Sequence, residues 1–291
     1  MSLLDSTDRV RFVAGLAMGV GAVLFIFMGG LPLYFGVLFV VGNCLREFYS
    51  LMAREGIKTV KVAGYPFALL IITAAYAGWG EEMPWSLLVA IFILLAFSVQ
   101  ILQSFAGRKP YRVSELAVTF FGAFYVAGLM SFVFLYKQIY SDHQALLRFD
   151  AISLLAIIGA FAYDTAAYFS GRLWGATLMN PVLSPKKTWE GVAGGLCGVT
   201  AGVVLLWFLA LHEVGQPLWM WLVLAVAVGL AAQLGDLSES VIKREAQAKD
   251  SASWIPGHGG MLDRLASYMF VLPVGYYFMH FWILGAPGGG A

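Results

Sequence analysis

Charge is scarce in this sequence. Only 12 % of its 291 residues are Asp, Glu, Lys or Arg, and 60 % are apolar. A soluble globular chain carries roughly twice that charged share. The scarcity excludes a soluble enzyme and a charged, disordered chain. Cysteine is scarcer still: Cys44 and Cys197 stand alone in apolar stretches, with no partner at metal-ligand spacing. That excludes a disulfide scaffold and leaves two buried free thiols as the expectation. The net charge of +1 provides no bulk attraction to nucleic acid. No Gly-Lys pair occurs, which removes a P-loop.

What is abundant is long apolar runs, and the mean hydropathy is +0.79. A spanning helix needs about 20 mostly apolar residues. Nine segments qualify, at roughly 12–29, 32–51, 62–80, 84–106, 114–136, 151–170, 191–211, 217–235 and 266–284. The expected fold is all-α: a polytopic membrane bundle of about nine transmembrane helices embedded in the lipid bilayer. Placing the N-terminus in the cytoplasm puts 16 of the 18 Lys and Arg on that side, with only Lys137 and Arg148 outside. The positive-inside rule therefore favours this orientation.

The chain divides by content. Residues 1–150 are apolar spans with simple turns, a scaffold that also offers a homodimer surface. Residues 151–291 carry the polar, cytoplasm-facing segments. The densest runs from Gln233 to Arg264, with Asp236, Lys243, Arg244, Lys249, Asp250, His258, Asp263 and Arg264. The positive-inside rule explains its bases but not acids at span edges, which are costly there. Carboxylates without Cys and with little His suit a hard cation such as Mg²⁺, which completes its shell with water and phosphate. Interleaved Lys and Arg suit a polyphosphate. Gly259 and Gly260, within Pro256–Gly260, let backbone N–H groups approach a phosphate. A second segment, Ser184 to Gly191, places Lys186 and Lys187 where the seventh span opens, suited to an anionic headgroup. Asp164 and Thr165 form a polar stripe in the sixth span, and an intramembrane carboxylate reads as functional.

Residues 240–266, SVIKREAQAKDSASWIPGHGGMLDRLA, resemble the signature of the phosphatidate cytidylyltransferase (CDP-diacylglycerol synthase) family: S-x-aliphatic-K-R, four residues, K-D, then H-G-G and D-R-aliphatic-D. The segments DTAAYFSGR (164–172), SPKKTWEG (184–191) and GDLSES (235–240) are similar to the family's as well. The resemblance implies transfer of a cytidylyl group from CTP to phosphatidate, in a bacterial cytoplasmic membrane with the site facing the cytoplasm. It implies that Asp236 and Asp263 hold Mg²⁺, with a monovalent cation such as K⁺ beside it. Lys243, Arg244, Lys249, Arg264, Lys186 and Lys187 would then hold phosphates. His258 would donate to a phosphate, and Asp250 would serve the metal or orient a lysine. Asp164, Thr165 and Ser184 would border the substrates. The departure is Ala266, where the family has an aspartate. Two accounts follow: an inactivated or engineered form of an ordinary synthase, or a natural divergent relative that completes the shell with water or Ser267. Rival readings are a silent relative that only binds nucleotide or lipid, and a transporter. Transporters place polar groups at the midplane of paired halves, whereas here they crowd one edge.

Overall fold

The computed structural model describes residues 19–78, 85–107, 111–136, 149–209, 211–255 and 259–285. In hydrocarbon every backbone N–H and C=O must be paired within its own segment, so apolar runs become helices. They are α1 (Gly19–Met28), α2 (Gly30–Arg54), α3 (Lys61–Tyr76), α4 (Trp85–Phe105), α5 (Val113–Tyr136), α6 (Phe149–Trp174), α7 (Trp189–Leu209), α8 (Leu218–Glu245) and α9 (Leu262–Phe278). A π-helical turn interrupts α5 at Phe124–Gly128, and another continues α9 at Met279–Leu284. Among the described residues five helical stretches are long and apolar enough to cross a membrane: Gly30–Arg54, Leu87–Phe105, Val113–Tyr136, Trp189–Leu209 and Leu218–Glu245. The protein is a helical integral membrane protein.

One local expectation needs correction. Ser184 to Gly191 does not open a helix throughout. Leu178–Asn180 (β1) and Ser184–Thr188 (β2) form an antiparallel hairpin, and α7 begins only at Trp189. The side-chain oxygen of Asn180 accepts the N–H groups of Val182 and Leu183, which tightens the turn. Thr188 then caps α7 by accepting the N–H of Gly191 at 3.1 Å.

The chain clusters into two compact units that interleave along the sequence. The first comprises Met1–Ser131 and Ile242–Arg264; the second comprises Phe132–Val241 and Leu265–Ala291. In the first unit α2, α3 and α5 close on small residues. A Cβ at Gly64 would run into the Tyr49 hydroxyl, and one at Gly122 into the Phe48 ring. Tyr49 donates to the Thr119 carbonyl at 3.0 Å, and Thr119 Oγ1 accepts the Val60 N–H at 2.8 Å. Phe67, Phe92 and Phe120 pack together with centroids 4.7–5.6 Å apart.

The second unit is organised by α6 and α7, which run together along a ladder of small residues. Gly194, Gly198 and Gly202 face Ser170, Ala166 and Ala162 in turn. A small residue every fourth position lets two backbones approach where no hydrophobic drive between helices exists. The same principle brings α8 against α9, because a Cβ at Gly235 would overlap the Ala266 carbonyl. Cys44 is buried, as expected, but Cys197 is exposed. Helix α7 packs through its glycines, and Cys197 lies off that stripe.

Candidate active site

The first unit holds a network around the start of α9. Helix α8 ends at Glu245, and the chain reverses through Gln247, whose φ is 48°. Ile255 then bridges to Gly259, and α9 begins at Leu262. Asp263 sits in the first turn of α9, where a carboxylate complements the helix dipole. Its Oδ1 accepts Lys243 Nζ at 2.9 Å. Its Oδ2 accepts the N–H of Gly260 at 2.8 Å, the N–H of Ser251 at 2.9 Å, and contacts Ser251 Oγ at 2.9 Å. The Lys243–Asp263 pair is largely buried, with 15 % and 6 % of the two side chains exposed. Asp250 is exposed, with its Cβ beside the position a Cβ would take at Gly259. Lys249, Arg244 and Arg264 are exposed on the same segment. Pro256, Gly257 and His258 lie outside the described residues, so the His258 assignment is not placed by this structure.

A residue that the sequence reading passed over completes this network. Glu47 of α2 is 2 % exposed. One of its oxygens accepts Trp254 Nε1 at 2.5 Å and the Met261 N–H at 2.9 Å. The other accepts Ser251 Oγ at 2.7 Å and the Leu262 N–H at 2.9 Å. The neighbouring Arg46 guanidinium lies over the Trp254 ring at 5.9 Å. The signal that could have found Glu47 is an acid in the middle of an apolar run, the criterion that singled out Asp164.

The second unit holds a separate group. Asp236 on α8 accepts Lys187 Nζ from β2 at 2.9 Å on Oδ2, and the Ser267 hydroxyl from α9 at 2.5 Å on Oδ1. The Asp236 side chain is 30 % exposed and the Lys187 side chain 25 %. The hairpin therefore carries Lys187 to the carboxylate, while Lys186, next in the alternation of the strand, is exposed. Ser184 is half-buried and pairs with Asn180 in the ladder. Asp164 and Thr165 are half-buried on α6, and Asp164 and Asp236 both act electrostatically on Tyr268. Next to Asp164, Tyr163 donates to Gln233 at 2.9 Å, which ties α6 to α8 one turn before Asp236.

Among the described residues no three His, Cys, Asp or Glu side chains lie close enough to form a closed metal site. The donors around Asp236 are nonetheless of the kind a hard cation takes: one partly exposed carboxylate and a hydroxyl, all oxygen. Such a donor set fits Mg²⁺ with most of its shell left for water and substrate phosphate.

The Lys243–Asp263 pair yields a stability prediction. Replacing Lys243 with Met removes the cation that Asp263 Oδ1 accepts and leaves the buried carboxylate without that counter-charge. Breaking a buried pair this way costs about 3 kcal/mol. The expected result is a lower melting temperature in detergent, and an unshifted melt would show that Ser251 and Gly260 suffice to hold Asp263.

A profile described as the cytidylyltransferase family matches residues 9–282. A phosphatidate cytidylyltransferase of Staphylococcus haemolyticus is 33 % identical over 255 residues, covering 85 % of this chain and 89 % of the relative. The corresponding protein of Staphylococcus epidermidis is 34 % identical over 253 residues, with 84 % and 89 % covered. That of Staphylococcus saprophyticus is 31 % identical over 250 residues, with 82 % and 88 % covered. The chain belongs to the cytidylyltransferase family.

Proposed function

We propose that this chain transfers the cytidylyl group of CTP to phosphatidate, forming CDP-diacylglycerol and pyrophosphate for phospholipid synthesis. The observation that carries the reading is the match over most of the chain to phosphatidate cytidylyltransferases. A phosphatidate oxygen attacks the α-phosphorus of CTP, a P–O bond forms, and the bond to the β-phosphate oxygen breaks to release pyrophosphate. Two anions must meet, so the residues act mainly by positioning and charge neutralisation. Lys187, Lys243, Arg244, Lys249, Arg264 and Lys186 hold phosphate oxygens, and the backbone of Gly259 and Gly260 approaches them. His258 donates to a phosphate, and Asp250 orients a lysine or the metal shell. Asp164, Thr165 and Ser184 border the substrates. Asp236 and Asp263 hold Mg²⁺, which when bound withdraws charge from the triphosphate, with K⁺ as a companion cation. The first-half helices to about residue 150 act as scaffold and homodimer surface. Nine spans with a cytoplasmic N-terminus place the chemistry on the cytoplasmic face of a bacterial inner membrane.

The test is incubation of the purified protein with labelled CTP, phosphatidate and Mg²⁺. Labelled CDP-lipid is expected, to be lost on chelation with EDTA and restored by added Mg²⁺. Product formation that survives complete chelation would remove the metal from the reading, and labelled product without phosphatidate would remove the acceptor.

A second reading has one observation in its favour. Ala266 is fully buried at the position where the resembling family carries an aspartate. On that reading the chain binds nucleotide and lipid but turns over slowly.

A further inference from the structure

Glu47 is a buried carboxylate for which the proposed chemistry has no use. It lies on α2, and its four hydrogen-bond partners are all donors. Two of these are the backbone N–H groups of Met261, just before α9, and Leu262, its first residue, which have no partner inside the helix. The other two come from Ser251 and Trp254, in the segment leading up to it. An isolated buried carboxylate is strongly disfavoured, so the four bonds hold both the charge and the segment in place.

We infer that Glu47 is a positioning residue. It clamps Ser251, Trp254, Met261 and Leu262 so that Asp263, Gly259 and Gly260 present a fixed arrangement to the nucleotide phosphates and their cation. This rests on the function proposed above. Ser251 is the link: its hydroxyl lies 2.7 Å from Glu47 and 2.9 Å from Asp263, and its N–H also binds Asp263. Gly260 carries the second mark. A Cβ there would overlap both Ser251 Oγ and Glu47 Oε2, so this glycine is required by the clamp itself, independently of any phosphate. Arg46 adds a third contact by covering the face of Trp254 while Glu47 takes its edge N–H.

The requirement is for four acceptor positions, which a carboxylate supplies and an amide does not. Glu47→Gln keeps the volume but turns a donor toward at least one of the four donors. In the folded, monodisperse variant, calorimetric titration should give Mg²⁺–CTP binding about tenfold weaker, the scale of outer-shell effects. Amide exchange should accelerate about tenfold at Ser251, Met261 and Leu262 and stay unchanged at Val60 on α3's approach. A residue with a purely structural role would lower the folded yield or raise exchange throughout the unit, without altering affinity in the folded fraction. Either that pattern, or affinity and exchange equal to the parent's, overturns the inference. A parent chain that binds Mg²⁺–CTP more tightly than the variant but forms no CDP-lipid would overturn the function and leave the clamp standing. A parent that binds no nucleotide overturns both.

Discussion

Replacing Asp236 with Ala reduces CDP-lipid formation about 10²–10³-fold, the loss seen when one group aimed at developing charge is removed. The half-exposed Asp236 carboxylate is gripped on one oxygen by Lys187 and on the other by Ser267. In the absence of the carboxylate the lysine stays partly exposed and can reach water, so the fold tolerates the change better than the chemistry does. The separating measurement is turnover against Mg²⁺ concentration, with a thermal melt beside it. Asp236→Asn sharpens the test, because the amide oxygen still accepts from Ser267 while the charge is gone. Turnover equal to the parent's in either variant would take Asp236 out of the metal assignment.

Ala266→Asp changes activity in the opposite direction, raising it by about 10–100-fold on the scale typical of groups that tune a metal centre. Positions 263 and 266 lie three apart in the opening turns of α9 and therefore on one side of that helix. Ala266 is fully buried, and its carbonyl is packed against Gly235. A second carboxylate there repels the first unless a cation lies near. The variant should thus melt below the parent without divalent metal and recover when Mg²⁺ is added. Unchanged turnover would mean that Ala266 does not limit the site, and that water or Ser267 completes the shell. Ser267 already donates to Asp236, which sets its hydroxyl beside that carboxylate.

Much of the site was legible because it is local. The described residues of 240–255 and 259–266 occupy a helix end, a reversal and a helix start, so their spacing survives in one dimension. The positions of Lys243 and Asp263, read as a base and an acid of one motif, became a 2.9 Å ion pair. Lys186 and Lys187 read alike as neighbouring cations, yet only Lys187 of the two reaches Asp236, because strand alternation turns them to opposite sides. That distinction depended on a hairpin, where a helix entry was expected. Cys197 was misread for a related reason: an apolar helix in lipid exposes one face, and composition does not say which.

The sequence by itself determined the class of the protein, the helical character of its apolar runs and the motif that names its family. Those follow from the absence of water around the backbone and from residues close together along the chain. The tertiary structure alone decided the interleaving of the two units and the place of Glu47. Glu47 meets Ser251 across 204 residues of sequence. No periodicity or spacing encodes such a contact, because a buried carboxylate is satisfied by whichever donors folding brings to it.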